Sequence, residues 1–244
     1  MDVNNFTVIE SGYGRFVVNR YCHFQAETLV KTGRPHIEGE IQNILKLAST
    51  LPANCIVIDA GANIGLVSVP MAQAIRQKGG VVHAFEVQRM LFYALCGAAA
   101  LNDLENLYVH QAGLGAAKAM LKVPRVDYGV SQDFGMVSLV NQAEIAAHEL
   151  VPIAAIDELS LPRLDFLKID VEGMEIDVLK GGRRTIATHL PWGWIENSTV
   201  GAGAIKEQFA GLPYKFYQID DMNMICAPIQ KAAENKINIP APEI

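Results

Sequence analysis

Residues 57–65 read VIDAGANIG, and this stretch decides the fold. The apolar run CIVIDA (55–60) has strand length and ends around Asp59. It then turns through Gly61, Asn63 and Gly65 and opens into IGLVSVPMAQAIRQKGG, where apolar residues recur at three- and four-residue spacing. A strand, a glycine turn and a helix in that order let backbone approach a ligand at the strand's carboxyl end. Asp59 narrows the choice of ligand, because a carboxylate there repels a pyrophosphate and suits a cation. The dinucleotide spacing G-x-G-x-x-G is absent, since Gly61 is followed by Gly65 with Asn63 between them.

Outward from that turn the pattern repeats. VVHAFE (81–86), LYVHQA (107–112), LDFLKID (164–170) and WGWIEN (192–197) are further strand-length runs, and QRMLFYALCGAAALND separates the first two as a second helix-like segment. Near-continuous apolar strands alternating with helices predict an α/β doubly wound sheet, mostly parallel and covered on both faces. Two stretches depart from the rhythm. Residues 113–156 mix turn formers with short alternating runs and predict a β-rich excursion, of the kind that builds a substrate wall near a strand end. YKFYQI (214–219) and NMICAPI (223–229) are joined only by Asp220, Asp221 and Met222, which allows a C-terminal antiparallel hairpin but not a parallel crossover. Ahead of the sheet, TVIESGYGRFVVNRY predicts a small hairpin about Gly12 and Gly14, and EGEIQNILKLASTL predicts an amphipathic helix. The expected organisation is an accessory hairpin and helix over residues 1–50 and a cofactor-binding domain over 51–244, forming one globular unit.

Composition bounds the function. With 244 residues, half of them hydrophobic, the chain can bury one sizeable core. Its 20 Lys+Arg against 26 Asp+Glu leave a formal charge of −6 and no broad electropositive surface, so nucleic acid is not an expected partner. No apolar run reaches the about 18 residues of a membrane span. The stretch from Ile56 to Ile75 comes nearest, but Asp59, Asn63 and two glycines interrupt it. MDVNNFTVIE lacks the basic start and apolar core of a secretory signal. Cys22, Cys55, Cys96 and Cys226 show neither a pairing cadence nor metal-ligand spacing, and are expected as small buried side chains in a reducing, cytoplasmic compartment.

Glu86 closes the second strand. A carboxylate there can accept two hydrogen bonds from ribose hydroxyls, a requirement that adenine dinucleotides share with S-adenosylmethionine. Asp59 favours the latter, whose amino group and sulfonium are cationic. Asp59, Gly61, Asn63, Gly65 and Glu86 are therefore the candidate cofactor-binding residues. A nicotinamide-dependent oxidoreductase stands as the alternative, and a purely structural turn as the plainer reading.

With these residues in place, positions 36–197 resemble the FkbM family of S-adenosylmethionine-dependent methyltransferases. The resemblance is carried by EGEI (38–41), VIDAGANIG (57–65), AFE (84–86), AGLGA (112–116), FGMVSL (134–139) and above all LKIDVEGMEIDVLKG (167–181). Val87 departs from the family, which usually has proline after the glutamate. The resemblance implies a class I methyltransferase (Rossmann-like) sheet with S-adenosylmethionine as methyl donor. It also implies O-methylation of a hydroxyl on a saccharide or a small secondary metabolite, without naming the acceptor. A non-catalytic S-adenosylmethionine-binding protein would keep the same donor residues.

LKIDVEGMEIDVLKG holds a second constellation. Asp170 ends the fourth core strand, Glu172 follows, and Gly173 opens the turn into a helix. Ligands of open α/β sheets bind outside the strand ends. Asp59, Glu86, Asp170 and Glu172 are thus expected on one rim, with Glu196 and Asn197 beside them. Converging carboxylates raise one another's pKa or recruit a cation. Three roles stay open: Asp170 or Glu172 as general base; Asp170, Glu196 and Asn197 as oxygen ligands of a Mg²⁺-like ion; or Asp170 orienting the methionine moiety while Glu172 caps the next helix. His36 is a further candidate base, whereas His110, inside a strand, is expected to be structural. Of the helix acids Glu38 and Glu40, Glu40 is preferred toward the site because it flanks the face of Ile37, Ile41, Ile44 and Leu45. Lys168 interrupts a buried strand and is expected to snorkel or to pair with a carboxylate, and Trp192 and Trp194 are expected in the core.

Overall fold

A computed structural model describes residues 4–135, 147–234 and 242–244. The chain begins with the hairpin β1 (Phe6–Ser11) and β2 (Gly14–Asn19), followed by helices α1 (His23–Thr32) and α2 (Glu38–Ser49). An alternating region follows: β3 (Ile56–Ala60), α3 (Ser68–Arg76), β4 (Val81–Phe85), α4 (Arg89–Leu101) and β5 (Leu107–His110). The excursion contains β6 (Gly113–Leu114), β7 (Ala119–Pro124) and β8 (His148–Ala154). The chain then returns to the main sheet through β9 (Phe166–Ile169), α5 (Glu175–Gly181), α6 (Arg183–His189) and β10 (Trp192–Glu196). It closes with α7 (Ala202–Gln208), β11 (Tyr214–Gln218), β12 (Asn223–Pro228) and α8 (Ile229–Glu234).

The main sheet has seven strands in the order β11-β12-β10-β9-β3-β4-β5. All its pairings are parallel except the two made by β12, which slots antiparallel between β10 and β11. Both the parallel sheet and the terminal hairpin expected from the chain are present, with strand ends shifted by one or two residues. The excursion is β-rich as expected and forms a separate sheet ordered β6-β8-β7, while residues 136–146, including the last four of FGMVSL, lie outside the described residues.

Side chains alternate across the sheet and divide the core in two. Val57, Val82, Phe166, Trp192 and Trp194 face α2, α3, α4 and the N-terminal hairpin, whereas Ile56, Ile58, Leu167 and Ile169 face α5, α6 and α7. Both tryptophans are fully buried. The hairpin is seated on α4: Asn102 accepts from the Arg15 amide at 2.9 Å and donates to its carbonyl at 2.8 Å.

Three local features differ from expectation. The N-terminal segment contains a further helix, α1. Helix α3 starts at Ser68 rather than directly after Gly65, so a longer turn bridges strand and helix. Cys96 is only half-buried, while the other three cysteines are buried. Among the described residues no helix is long and apolar enough to cross a membrane.

Candidate active site

Sheet order reverses beside β3, whose neighbours are β4 on one side and β9 on the other, so a crevice opens at the carboxyl ends of these strands. The turn after β3 is pinned by the amides of Gly61 and Ala62, which both donate to the Phe85 carbonyl at 3.0 and 2.9 Å. Gly61 has φ +79°, and a Cβ there would lie 1.7 Å from the Asp170 carbonyl oxygen. The glycine therefore lets the ends of β3 and β9 converge. Gly65 also has left-handed backbone, φ +90°, and a Cβ there would meet Leu95 of α4 at 2.4 Å. Asn63 also has left-handed backbone, φ 52°, and its side-chain oxygen accepts from the next amide at 2.8 Å.

The cleft between these ends is lined on its polar side by Gly61, Glu86, Asp170 and Glu172, and on its apolar side by Phe85, Val87, Leu114, Leu121, Ile153 and Met174. Leu114, Leu121 and Ile153 come from the three-stranded excursion, which thus forms one wall. Glu86 is 6% exposed and accepts from the amides of Asn63 (2.8 Å) and Gln88 (2.7 Å), one on each carboxylate oxygen. Each oxygen keeps a lone pair for a further donor. Burial is the main cause that pushes the Glu86 carboxyl up to about 7, against the two amides that favour its anion. Gln88 extends this loop to the excursion, donating to the Phe134 carbonyl at 2.7 Å and accepting from the Tyr128 hydroxyl at 3.1 Å.

Asp59 is not on the rim. It lies behind the cleft, 1% exposed, where Ser68 of α3 donates to its Oδ2 at 2.5 Å. Its Oδ1 is buried and has no hydrogen-bond partner among the described residues. Parallel register sets Lys168 of β9 directly opposite Asp59, and the lysine Nζ stands 3.6 Å from Asp59 Oδ1 and 3.1 Å from Asp170 Oδ2. Burial alone would lower the pKa of this lysine, but Asp170, Asp59 and Glu40 outweigh it and hold the ammonium charged. Glu40 of α2 thus does face the site. Desolvation pushes its carboxyl up to about 7, with Lys168 opposing and Asp170, Asp59 and Asp220 adding to the rise. Glu38 turns away, accepting from the Tyr13 hydroxyl at 3.0 Å and meeting Arg34 at 3.4 Å.

On the far side of the cleft Glu172 has left-handed backbone, φ 55°. Desolvation, then Asp170, Glu196, Glu175 and Asp133, push its carboxyl up to about 7. Glu172 makes no cap on α5. The turn is held instead by fully buried Glu175, whose Oε1 accepts from the amides of Val171 (3.2 Å) and Gly173 (3.1 Å) while its Oε2 is buried with no hydrogen-bond partner among the described residues. Sequence reading passed over Glu175, although it stands inside the motif that holds Asp170. Glu196 accepts from Ser198 at 2.7 Å, and burial followed by Asp170 and Glu175 raises its pKa. The Asn197 amide is locked reciprocally with Gln218 at 2.9 and 3.1 Å. Among the described residues no group of three His, Cys, Asp or Glu is arranged to hold a metal ion.

His36 sits just before α2. Although open to solvent, its imidazole is partly desolvated, which lowers its pKa, and Asp133 works the other way. His110 belongs to the sheet edge, stacked on Phe85 at 4.6 Å and within 3.1 Å of His83.

A family model described as the methyltransferase FkbM domain matches residues 59–225, more than half of the chain. Methyltransferase 1 of Beauveria bassiana (strain ARSEF 2860) is 28% identical over 178 residues, covering 65% of this chain and 69% of that protein. Methyltransferase sdnD of Sordaria araneosa is 30% identical over 164 residues, covering 54% of this chain but only 62% of that protein. Among solved structures, methyltransferase FkbM from Methylobacillus flagellatus KT superposes with a TM-score of 0.51 at 19% identity. That superposition covers 83% of this chain and 54% of the other, so the chain spans about half of that protein's length. The mostly parallel sheet with its inserted antiparallel strand is the Rossmann-like fold of class I methyltransferases, and the nicotinamide oxidoreductase alternative has no support from these matches. The chain belongs to the FkbM methyltransferase family.

Proposed function

We propose that the protein transfers a methyl group from S-adenosylmethionine to a hydroxyl oxygen of a small molecule or saccharide. The observation that carries this reading is the cleft at the reversal point of the sheet, with buried Glu86 on one side and, on the other, Asp170, which is ion-paired to Lys168 behind it. The residues suit the donor. Glu86 keeps two free lone pairs for ribose hydroxyls, Val87, Leu114 and Ile153 offer an apolar bed for adenine, and Asp170 lines the cleft where the cationic end would lie. When bound, S-adenosylmethionine supplies a methyl group already activated by its sulfonium. The chain's own task is to orient the acceptor oxygen and to take one proton.

Glu172 is the preferred proton acceptor. It lines the cleft, and a carboxyl near 7 is matched to general-base work at neutral pH. Asp170 is less suited, because its Oδ2 is committed to the Lys168 ammonium. His36 remains the second candidate, on the loop ahead of α2. The metal reading gains nothing from Asn197, whose amide is spent on Gln218.

The test is methyl transfer from labelled S-adenosylmethionine into a panel of sugars, polyketides and phenols, paired with a melting assay. Donor binding raises the melting temperature by linkage, and the product carries its label on oxygen. No melting shift at millimolar donor, or label found on nitrogen or carbon, overturns the proposal.

A further inference from the structure

We propose that Gln88 is a positioning residue of this site: it ties the Glu86 carboxylate to the segment 126–135, so that donor binding also fixes that part of the cleft wall. The proposal rests on the donor reading above and adds a residue that acts through others. Gln88 occupies the N-cap position of α4, where a short Ser, Thr, Asp or Asn ordinarily caps the first turn. It makes no cap. Its longer side chain, buried with the residue, reaches away from the helix to the excursion. There Nε2 donates to the Phe134 carbonyl at 2.7 Å and Oε1 accepts from the Tyr128 hydroxyl at 3.1 Å, while the Gln88 amide donates to Glu86 Oε1 at 2.7 Å.

The segment needs such a tether. From the end of β7 to residue 135 the chain forms neither helix nor strand, apart from an isolated bridge of Gln132 with Cys22. Asn19 Nδ2 donates to the Tyr128 carbonyl at 3.0 Å and the Gln132 amide donates to the Tyr21 carbonyl at 3.1 Å, both toward the N-terminal segment. Toward the donor loop, the Gln88 side chain carries the two bonds above. The far end of the segment reaches the glycine turn, since Gly135 lines the cleft and a Cβ on it would lie 2.8 Å from Asn63 Nδ2. Asn63 in turn donates its amide to the other Glu86 oxygen at 2.8 Å. Glu86, Asn63, the 134–135 main chain and Gln88 thus form a closed circuit around the cleft, and Gln88 is the member whose side chain closes it.

The experiment combines titration calorimetry of S-adenosylmethionine with hydrogen exchange of the peptides 57–65 and 126–135, each with and without millimolar donor. In wild type the donor slows exchange in both peptides. Gln88→Met keeps the length of the side chain and removes its two bonds. In that variant the donor still slows exchange in 57–65 but no longer in 126–135. Its Kd rises about threefold to tenfold, the worth of one or two ordinary hydrogen bonds and of the smaller fraction of molecules whose wall is in place. Donor-induced protection of 126–135 that survives in Gln88→Met marks a merely structural role and overturns the proposal. An unchanged Kd does the same.

Tyr128→Phe removes only a hydroxyl and keeps the ring that packs 4.9 Å from Phe134. By itself it should raise the donor Kd about threefold, and in the Gln88→Met background it should add nothing, because both changes break the same link. Effects that multiply overturn the proposal. If Gln88→Met does not fold, Tyr128→Phe decides alone: a raised Kd with weaker donor protection of 126–135 supports the link, and wild-type values of both overturn it. Wild type that binds no donor overturns the donor reading itself, and the role of Gln88 with it. Wild type that binds donor beside a Gln88→Met variant indistinguishable from it overturns the role of Gln88 alone.

Discussion

Replacing Gly61 with alanine tests whether the glycine serves the convergence of two strands rather than the approach of a ligand alone. The new Cβ would lie 1.7 Å from the Asp170 carbonyl oxygen, where real Cβ contacts are essentially never under 3.0 Å. Backbone meets backbone, so the end of β9 must withdraw by more than an ångström. That movement removes the bond from the Asp170 amide to the Ala60 carbonyl, now 3.0 Å, at a cost of about 1 kcal/mol. Left-handed backbone adds about 1–2 kcal/mol for a residue with a Cβ, and overpacking about 1–3 kcal/mol. The expected loss is about 3–6 kcal/mol, a large share of the stability of a typical domain. Gly33 is the control: its φ is +66°, and an added Cβ would meet nothing within 4 Å. Gly33→Ala should lose only the conformational part, about 1–2 kcal/mol. Urea unfolding of both variants reads this directly, as a shift of midpoint at constant slope. If Gly61→Ala loses no more than Gly33→Ala, the convergence of β3 and β9 does not require the glycine and the reasoning fails.

Two further outcomes follow from the carboxylates. The Glu172 carboxyl is raised to about 7, so its favourable contribution is fully present below the unfolded value near 4.5 and is lost as pH rises through about 7. Glu172→Gln, which cannot ionise, should therefore gain melting temperature relative to donor-free wild type as pH is raised from 5 to 8, and a difference that stays constant with pH would contradict the shift. Glu175→Ala frees two half-buried amides of the 171–173 turn and should lose about 1–3 kcal/mol in chemical unfolding, whereas Glu175→Gln keeps an acceptor oxygen and should lose less. Equal losses would mean that the turn is held by something other than those two bonds.

Much of the site was legible because its pieces are local. The end of β3, the left-handed Asn63 and the acid closing β4 all lie within short motifs whose turn chemistry dictates their geometry. Even the preference for Glu40 over Glu38 came from helical spacing, since one face of α2 carries Ile41, Ile44 and Leu47 into the core. What stayed hidden were relations between distant segments. Asp59 was expected on the rim and lies behind it, because strand alternation turns it to the α3 face, where Ser68 holds it. Glu172 was weighed as a helix cap and is not one, because Glu175 satisfies the turn in its place.

Sequence by itself determined the strands and helices, the glycine turn, the acid after the second strand and the kinship with FkbM methyltransferases. These features are encoded by periodicity and turn residues over stretches of a few to about fifteen positions. Only the tertiary structure decided that Lys168 stands opposite Asp59, that the charges of both act on Glu40 of the N-terminal segment, and that Gly61 rests on the carbonyl of Asp170. The physical reason is that register between β3 and β9 is set by long-range pairing and burial across more than a hundred residues. The charge of a buried group, likewise, depends on every segment packed around it and not on its neighbours in the chain.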